Sequence, residues 1–258
     1  MLFRSIDRHP LPAAALERAL APFAECAREA RDLIAALPPP VAGVHRRVFD
    51  GGRVVLDLYW ADVADALEEL ASPGGPRVDA WYLDGFAPSR NPDMWNAELF
   101  HLLACASRDG ASVATYSAAG AVRRGLTDAG FHVLRRPGYG SKRESLHGHL
   151  AARPGRRPAT FTPWDIPRRE TAAARDDGLP AGRADGERRA IVLGAGLAGA
   201  HAAAALARRG WSVTVLDAGA VADRASGNAQ GLLFTRFSHR RSILADFSLA
   251  AFLFSSDL

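Results

Sequence analysis

The sequence predicts an α/β chain of two Rossmann-like units joined by a linker, and three observations carry that expectation. The first is Val78-Asp79-Ala80-Trp81-Tyr82-Leu83, an apolar run that turns at Asp84-Gly85 and leads through Asn91-Pro92 into a helical stripe of Trp95, Leu99, Leu102 and Leu103. The second is the strand Ala190-Ile191-Val192-Leu193, which runs straight into Gly194-Ala195-Gly196-Leu197-Ala198-Gly199 and then a helix. The third is the stretch between them, Arg153 to Arg189, rich in Pro, Arg, Asp and Gly and without an apolar period, which reads as a linker. Strand, loop and helix form the unit of an open α/β sheet, whose ligands gather beyond the carboxyl ends of the strands.

Composition sets the bounds. The 258 residues are 48% hydrophobic and 23% charged, as in a water-soluble globular chain of one or two domains. Two distant cysteines, Cys26 and Cys105, cannot build a disulfide framework or a four-cysteine zinc site. They suit a reducing cytosol, so the expected location is cytoplasmic and no metal is expected. No apolar run approaches the ~20 residues of a membrane span, and no membrane partner is expected. Lys142 is the only lysine among 32 basic residues, so the net charge of +4 is carried by Arg. Arginine is the better phosphate fork and stacking cation, which keeps nucleic acid open as a partner.

In chain order, Phe3 to Ile6 reads as the end of a strand, with Asp7 at its carboxyl end, either a surface acid or one aimed at a ribose hydroxyl. A helix over Ala13 to Leu20 follows, then a second that starts on Pro22 and stops at Pro38-Pro39-Pro40. Val44 to Phe49 and Arg53 to Tyr59 flank Asp50-Gly51-Gly52, a hairpin signal. Asp62 precedes the helix Val63 to Leu70, as an N-cap or as an acid aimed at a ligand. Asp84 reads either as an Asp-Gly turn or as a site acid beside Phe86. Asn91-Pro92 is expected to cap the next helix, and Ser117 the helix Ala118 to Ala129, which Gly130 ends.

Phe131 to Leu134 and Ser145 to Leu150 read as an antiparallel pair around a loop, Arg135 to Arg143. That loop gathers Arg135, Arg136, Tyr139, Lys142 and Arg143, a composition for phosphate and base contact or for a solvated turn. Beyond the linker, the glycine fingerprint is followed by the strand Val213 to Leu216 and Asp217. Strand, glycines, helix, second strand and acid all fall where dinucleotide binding needs them. The glycines admit a pyrophosphate to a helix N-terminus, and the acid accepts ribose hydroxyls. The pattern alone does not choose between flavin and nicotinamide.

The order of parts goes further. Leu83-Asp84-Gly85-Phe86-Ala87-Pro88, Asn91-Pro92-Asp93-Met94-Trp95, Gly138-Tyr139-Gly140-Ser141-Lys142-Arg143-Glu144, the fingerprint, and Ala225-Ser226-Gly227-Asn228-Ala229-Gln230-Gly231 follow one another. Together they resemble the MnmC family, bifunctional biosynthesis proteins of tRNA 5-methylaminomethyl-2-thiouridine. The resemblance implies a Rossmann-like methyltransferase sheet over residues 1–152, missing its first strand, a linker over 153–189, and the start of a FAD-binding Rossmann domain over 190–258. It implies FAD and S-adenosyl-L-methionine as cofactors and tRNA, through its anticodon wobble uridine, as partner. FAD-dependent removal of a carboxymethyl group would precede methylation of the aminomethyl group left behind.

By the same resemblance Asp84 is catalytic, and Asp7 and Asp62 contact the methyl donor. Gly194, Gly196, Gly199 and Asp217 hold FAD, with Ser226 and Asn228 in the flavin-side loop. Phe86 and Pro88 shape the uridine site, and Arg135, Arg136, Lys142 and Arg143 contact tRNA. The family's methyl-donor glycine loop is expected before Phe3 and a larger oxidase portion after Leu258, so the chain reads as a fragment without stable FAD binding of its own. Two other readings stand beside this one: a stand-alone FAD- or NAD-binding oxidoreductase, and an inactive truncated remnant.

Overall fold

The computed structural model describes residues 1–72, 77–85, 87–140, 142–152, 154, 188–228, 230–235 and 242–256. The expected linker therefore lies almost wholly outside the described residues, as does Phe86. By contact the chain divides into two units. One holds Met1–Ser5, Pro10–Trp60 and the described C-terminal residues; the other holds Ile6–His9 and the chain from Ala61 through the central sheet.

In the first unit, β1 (Leu2–Asp7), β2 (Gly43–Phe49) and β3 (Val54–Trp60) form a sheet in the order β1-β3-β2. β2 and β3 are the expected antiparallel hairpin, registered from Gly43↔Trp60 to Phe49↔Val54 around Asp50-Gly51-Gly52. Across it the Arg46 guanidinium grips the buried Asp57 carboxylate at both oxygens, 2.7 and 2.8 Å, which pushes the arginine further above its ordinary pKa. α1 (Ala13–Leu20) stands as expected. The next helix does not begin on Pro22: a 3-10 turn over Ala24–Cys26 comes first and α2 runs over Ala27–Ala35. No side chain caps either start, so the chain tightens into i→i+3 bonding there.

In the second unit, α3 (Val63–Ala71), β4 (Val78–Leu83), α4 (Ala97–Ala106), β5 (Ser107–Thr115), α5 (Gly120–Asp128), β6 (Phe131–Pro137) and β7 (Glu144–Leu150) build a four-stranded sheet, β4-β5-β7-β6. β4 and β5 are parallel; β7 is antiparallel to both of its neighbours. Phe100, Leu103, Val122, Leu126, Phe131, Val133, Leu146 and Leu150 are among its buried apolar side chains. Alternation along the strands sends Tyr82, Leu134 and His132 to the other face, where they are exposed. Gly130, at φ +101°, ends α5; a Cβ there would come within 2.1 Å of the Ala152 carbonyl oxygen. Among the described residues the strands of 1–152 fall in two sheets, with edge strands β1 and β2 in one and β4 and β6 in the other.

Two capping expectations are corrected. Pro92–Trp95 is a 3-10 turn, and α4 starts later on Asn96, whose Oδ1 accepts from Leu99 N at 2.8 Å. The Asn96 amide also donates to Asp93 O at 2.9 Å and ties the turn to the helix. Ser117 does not cap α5: its own N–H donates to Thr115 Oγ1, and Ala119 holds the N-cap position without a side-chain bond.

Beyond residue 187, β8 (Arg189–Leu193) and β9 (Ser212–Leu216) pair in parallel, joined by α6 (Leu197–Ala207). A 3-10 turn over Ala225–Gly227 and α7 (Ile243–Ser256) complete the described chain. No described helix is long and apolar enough to cross a membrane.

Candidate functional sites

The acids of the second unit stand at or just past carboxyl ends of strands. Asp7 closes β1; its Oδ1 accepts from His9 N at 2.8 Å, and its carbonyl accepts from Ala61 N at 3.3 Å. Asp62 is an N-cap, with Oδ1 accepting from Ala64 N at 3.0 Å, while Oδ2 lies 3.5 Å from the Arg8 guanidinium. Asp7 and Asp62 are thereby brought to one edge, with Arg8 between them, a residue that the sequence pattern did not single out. That exposed ion pair adds little stability, and it leaves Arg8 free to turn toward a ligand.

Asp84 follows β4, whose last pair is Leu83↔Thr115. Strand and helix are pinned behind it: Trp81 Nε1 donates to Ser107 Oγ at 2.8 Å, and that hydroxyl donates to Leu103 O at 2.7 Å. The exposed Asp84 carboxylate accepts from Gly85 N at 2.8 Å through Oδ1. Among the described residues Oδ2 has no partner, and no bond links Asp84 to Asp7 or Asp62. Pro88 is half-buried in a turn in which Ala87 O accepts from Arg90 N and Asn91 N, at 2.7 and 3.1 Å.

The fingerprint site is closed around itself. Gly194, at φ +100°, turns the chain off β8, and its N–H donates to Leu216 O at 2.7 Å. A Cβ on Gly199 would meet the Gly194 carbonyl oxygen at 1.8 Å, so the first turn of α6 packs hard on the strand end. A Cβ on Gly196 would meet only the Ser226 side chain, its Oγ at 2.7 Å and its Cβ at 3.5 Å. That hydroxyl accepts from Leu197 N at 3.1 Å, at the start of α6. Asn228 makes a local bond, Nδ2 to Ala225 O at 3.2 Å.

Asp217 accepts from Ala195 N at 2.6 Å and from Gly219 N at 2.9 Å, one bond to each carboxylate oxygen. These bonds, Ala195 first, hold its carboxyl below the usual aspartate range. Each oxygen keeps a second lone-pair site, so the acid that braces the glycine loop can still accept from a ribose. Gly194, with nothing within 4 Å of where its Cβ would stand, a helix N-terminus and an ionised acid fit the pyrophosphate and ribose of FAD.

Comparison with known proteins bears on both sites. Residues 24–151 match the family model for S-adenosyl-L-methionine-dependent methyltransferase, and residues 189–258 that for FAD dependent oxidoreductase. The tRNA 5-methylaminomethyl-2-thiouridine biosynthesis bifunctional protein MnmC of Chromohalobacter salexigens is 45% identical over 251 residues, 97% of this chain and 33% of the relative. Its counterpart in Stutzerimonas stutzeri is 43% identical over 257 residues, 99% of this chain and 36% of the relative. Along nearly its whole length the chain is similar to these MnmC proteins. It spans about a third of the length of these curated MnmC relatives. A solved structure, MNMC2 from Aquifex aeolicus, is similar at a TM-score of 0.44 and 22% identity over 58% of this chain and 44% of its own.

Among the residues that the MnmC pattern pointed to, Gly194, Gly196, Gly199, Asp217 and Ser226 come together. Arg135 and Arg136 lie in β6 rather than in a loop, and Arg135 pairs with Glu144 at 3.3 Å. Alternating Phe131, Val133 and Arg135 continue the strand period, a signal that could have extended it.

The lowered Asp217 carboxyl gives a pH expectation. A depressed pKa contributes stability that is present above the ordinary value, ~3.9, and is lost as pH falls through the lowered one. The Ala195 and Gly219 amides should be protected from hydrogen exchange at neutral pH and lose protection only in acid. Asp217→Asn has one acceptor oxygen for two donors, so one of those amides should exchange freely at neutral pH. Full protection of both would show that the bonds do not hold the loop.

Proposed function

We propose that this chain acts in modification of the tRNA wobble uridine, in two steps. FAD-dependent removal of the carboxymethyl group from carboxymethylaminomethyl-uridine comes first, and S-adenosylmethionine-dependent methylation of the resulting aminomethyl group follows. The observation that carries this reading is that relatives named for such a bifunctional role align along 97–99% of the chain, through both matched regions in the same order. We place the methyltransferase-like portion at 1–152, the linker at 153–189 and the FAD-binding portion at 190–258. That half of the chain matches a methyltransferase disfavours a stand-alone oxidoreductase.

In this reading the methyl donor supplies an electrophilic carbon, and FAD supplies a two-electron acceptor. The chain's own residues orient. Asp7 and Asp62 present carboxylate oxygens to the donor's ribose and amino groups, and Oδ2 of Asp84 accepts a hydrogen bond from the substrate amine. Phe86, outside the described residues, and Pro88 confine the uridine. Gly196 admits the pyrophosphate, and Asp217 receives the ribose. Arg136, Lys142 and Arg143 face the tRNA, which is met in the cytoplasm, while Arg135 is held by Glu144 across the hairpin.

The test is the nucleoside content of tRNA from cells in which the gene is deleted. Mass spectrometry should find carboxymethylaminomethyl-uridine in place of its methylaminomethyl counterpart. An unchanged nucleoside pattern overturns the reading.

A further inference from the structure

β6 and β7 pair from Phe131↔Leu150 out to Pro137↔Glu144, and the tip beyond them is shaped by its backbone. Gly138 N donates to Arg143 O at 3.0 Å, and Lys142 N to Tyr139 O at 3.2 Å. A Cβ on Gly138 would come within 2.2 Å of Lys142 O, and Gly140 turns at φ +61°. From this tip Tyr139 stands out 86% exposed. Tyrosine has two χ angles, so holding its ring still costs little entropy, and an open ring face accepts any base.

The surrounding charges differ in their engagement. Arg135 is paired with Glu144 across the hairpin. Arg136, Lys142 and Arg143 are exposed and in no ion pair among the described residues. Three exposed cations in the same hairpin as one projecting aromatic ring are the elements of a single-strand contact: phosphates on the cations, a base on the ring.

We propose that Tyr139 is a base-stacking residue for unpaired RNA, that Arg136, Lys142 and Arg143 take the flanking phosphates, and that Arg135 braces the hairpin without touching RNA. This rests on the tRNA reading and narrows it: the hairpin grips splayed bases rather than duplex. An acidic protein segment would use the same cations but would not need the ring.

The test is binding of the full chain to a short labelled oligouridylate and to an RNA duplex of equal length, across a salt series. Tyr139→Ala should weaken single-strand binding about tenfold or more, with duplex binding and salt slope unchanged, and Tyr139→Phe should bind as the unaltered chain does. Joint replacement of Arg136, Lys142 and Arg143 with Ala should weaken both and flatten the single-strand slope by about two. Arg135→Ala should leave the slope unaltered. If Tyr139→Ala binds single strands normally while the triple variant loses affinity, stacking is refuted and only phosphate contact remains. If the triple variant also binds normally, or the unaltered chain binds neither RNA, the whole hairpin proposal falls. The nucleoside measurement above does not depend on this hairpin, so failure here is told apart from failure of the tRNA reading.

Discussion

Asp84→Asn is expected to lower methyl transfer by about two to four orders of magnitude while leaving tRNA and methyl-donor affinity within a few-fold. The nucleophile is a primary amine of roughly lysine basicity, ~10.4, against ~3.9 for an ordinary aspartate. Moving its proton outright to such a carboxylate would cost about 9 kcal/mol. A less demanding role is to accept a hydrogen bond from the amine, aim its lone pair at the methyl carbon and stabilise the ammonium charge as it grows. Geometry suits that role, since Oδ1 is held by Gly85 N and Oδ2 has no partner among the described residues. Asn keeps the shape but removes the charge, so binding should survive and the rate should not. Asp84→Ala, which loses the orienting acceptor as well, should fall at least as far. Single-turnover methylation of aminomethyl-uridine tRNA at several pH values reads this directly. A near-normal rate in Asp84→Asn would reduce the residue to the turn former that its bond to Gly85 also allows.

Gly199→Ala should have the second large effect, and at the other site. The new methyl would sit 1.8 Å from the Gly194 carbonyl oxygen and 2.9 Å from its carbon, backbone atoms that cannot swing aside. Overpacking costs about 1–3 kcal/mol, and the upper end applies because either α6 or the Gly194 turn must move. If that displacement is lost wholly from ligand alignment, affinity for ADP, the half of FAD that the fingerprint holds, falls roughly a hundredfold. Amide protection along β8 and the start of α6 should fall with it. Gly196→Ala offers the contrast, since its methyl meets only the Ser226 side chain, whose hydroxyl can rotate away. That variant should keep the protection of β8, lose at most that of Leu197 N, whose Ser226 acceptor turns away, and lose ADP affinity because its methyl obstructs the pyrophosphate's approach. Equal protection and affinity in Gly199→Ala and the unaltered chain would refute the packing argument.

Much of this was legible in the residues. Asp50-Gly51-Gly52 between two alternating runs located the first hairpin, and the fingerprint located β8, α6 and β9 together. What local pattern hid was competition between neighbouring signals. Asn91-Pro92 and Asn96 are both good starts, and the chain uses the first for a 3-10 turn and the second for the helix proper. Ser117 looked like a cap, but its N–H is drawn back to Thr115, and α5 begins later. Asp217 stood where a ribose acid stands, yet its bonds to Ala195 and Gly219 depend on how two loops meet, which spacing alone does not contain. Neither does spacing reveal which of four basic residues in one hairpin is already paired.

The central claim is that two separate sites on this chain serve one wobble uridine in succession. The most direct measurement returns the gene to deleted cells in three forms, unaltered, Asp84→Asn and Gly199→Ala, and weighs the tRNA nucleosides by mass spectrometry. The account predicts methylaminomethyl-uridine with the unaltered gene, aminomethyl-uridine with Asp84→Asn and carboxymethylaminomethyl-uridine with Gly199→Ala. The same nucleoside in both variants, or the methylaminomethyl form in either, would contradict it.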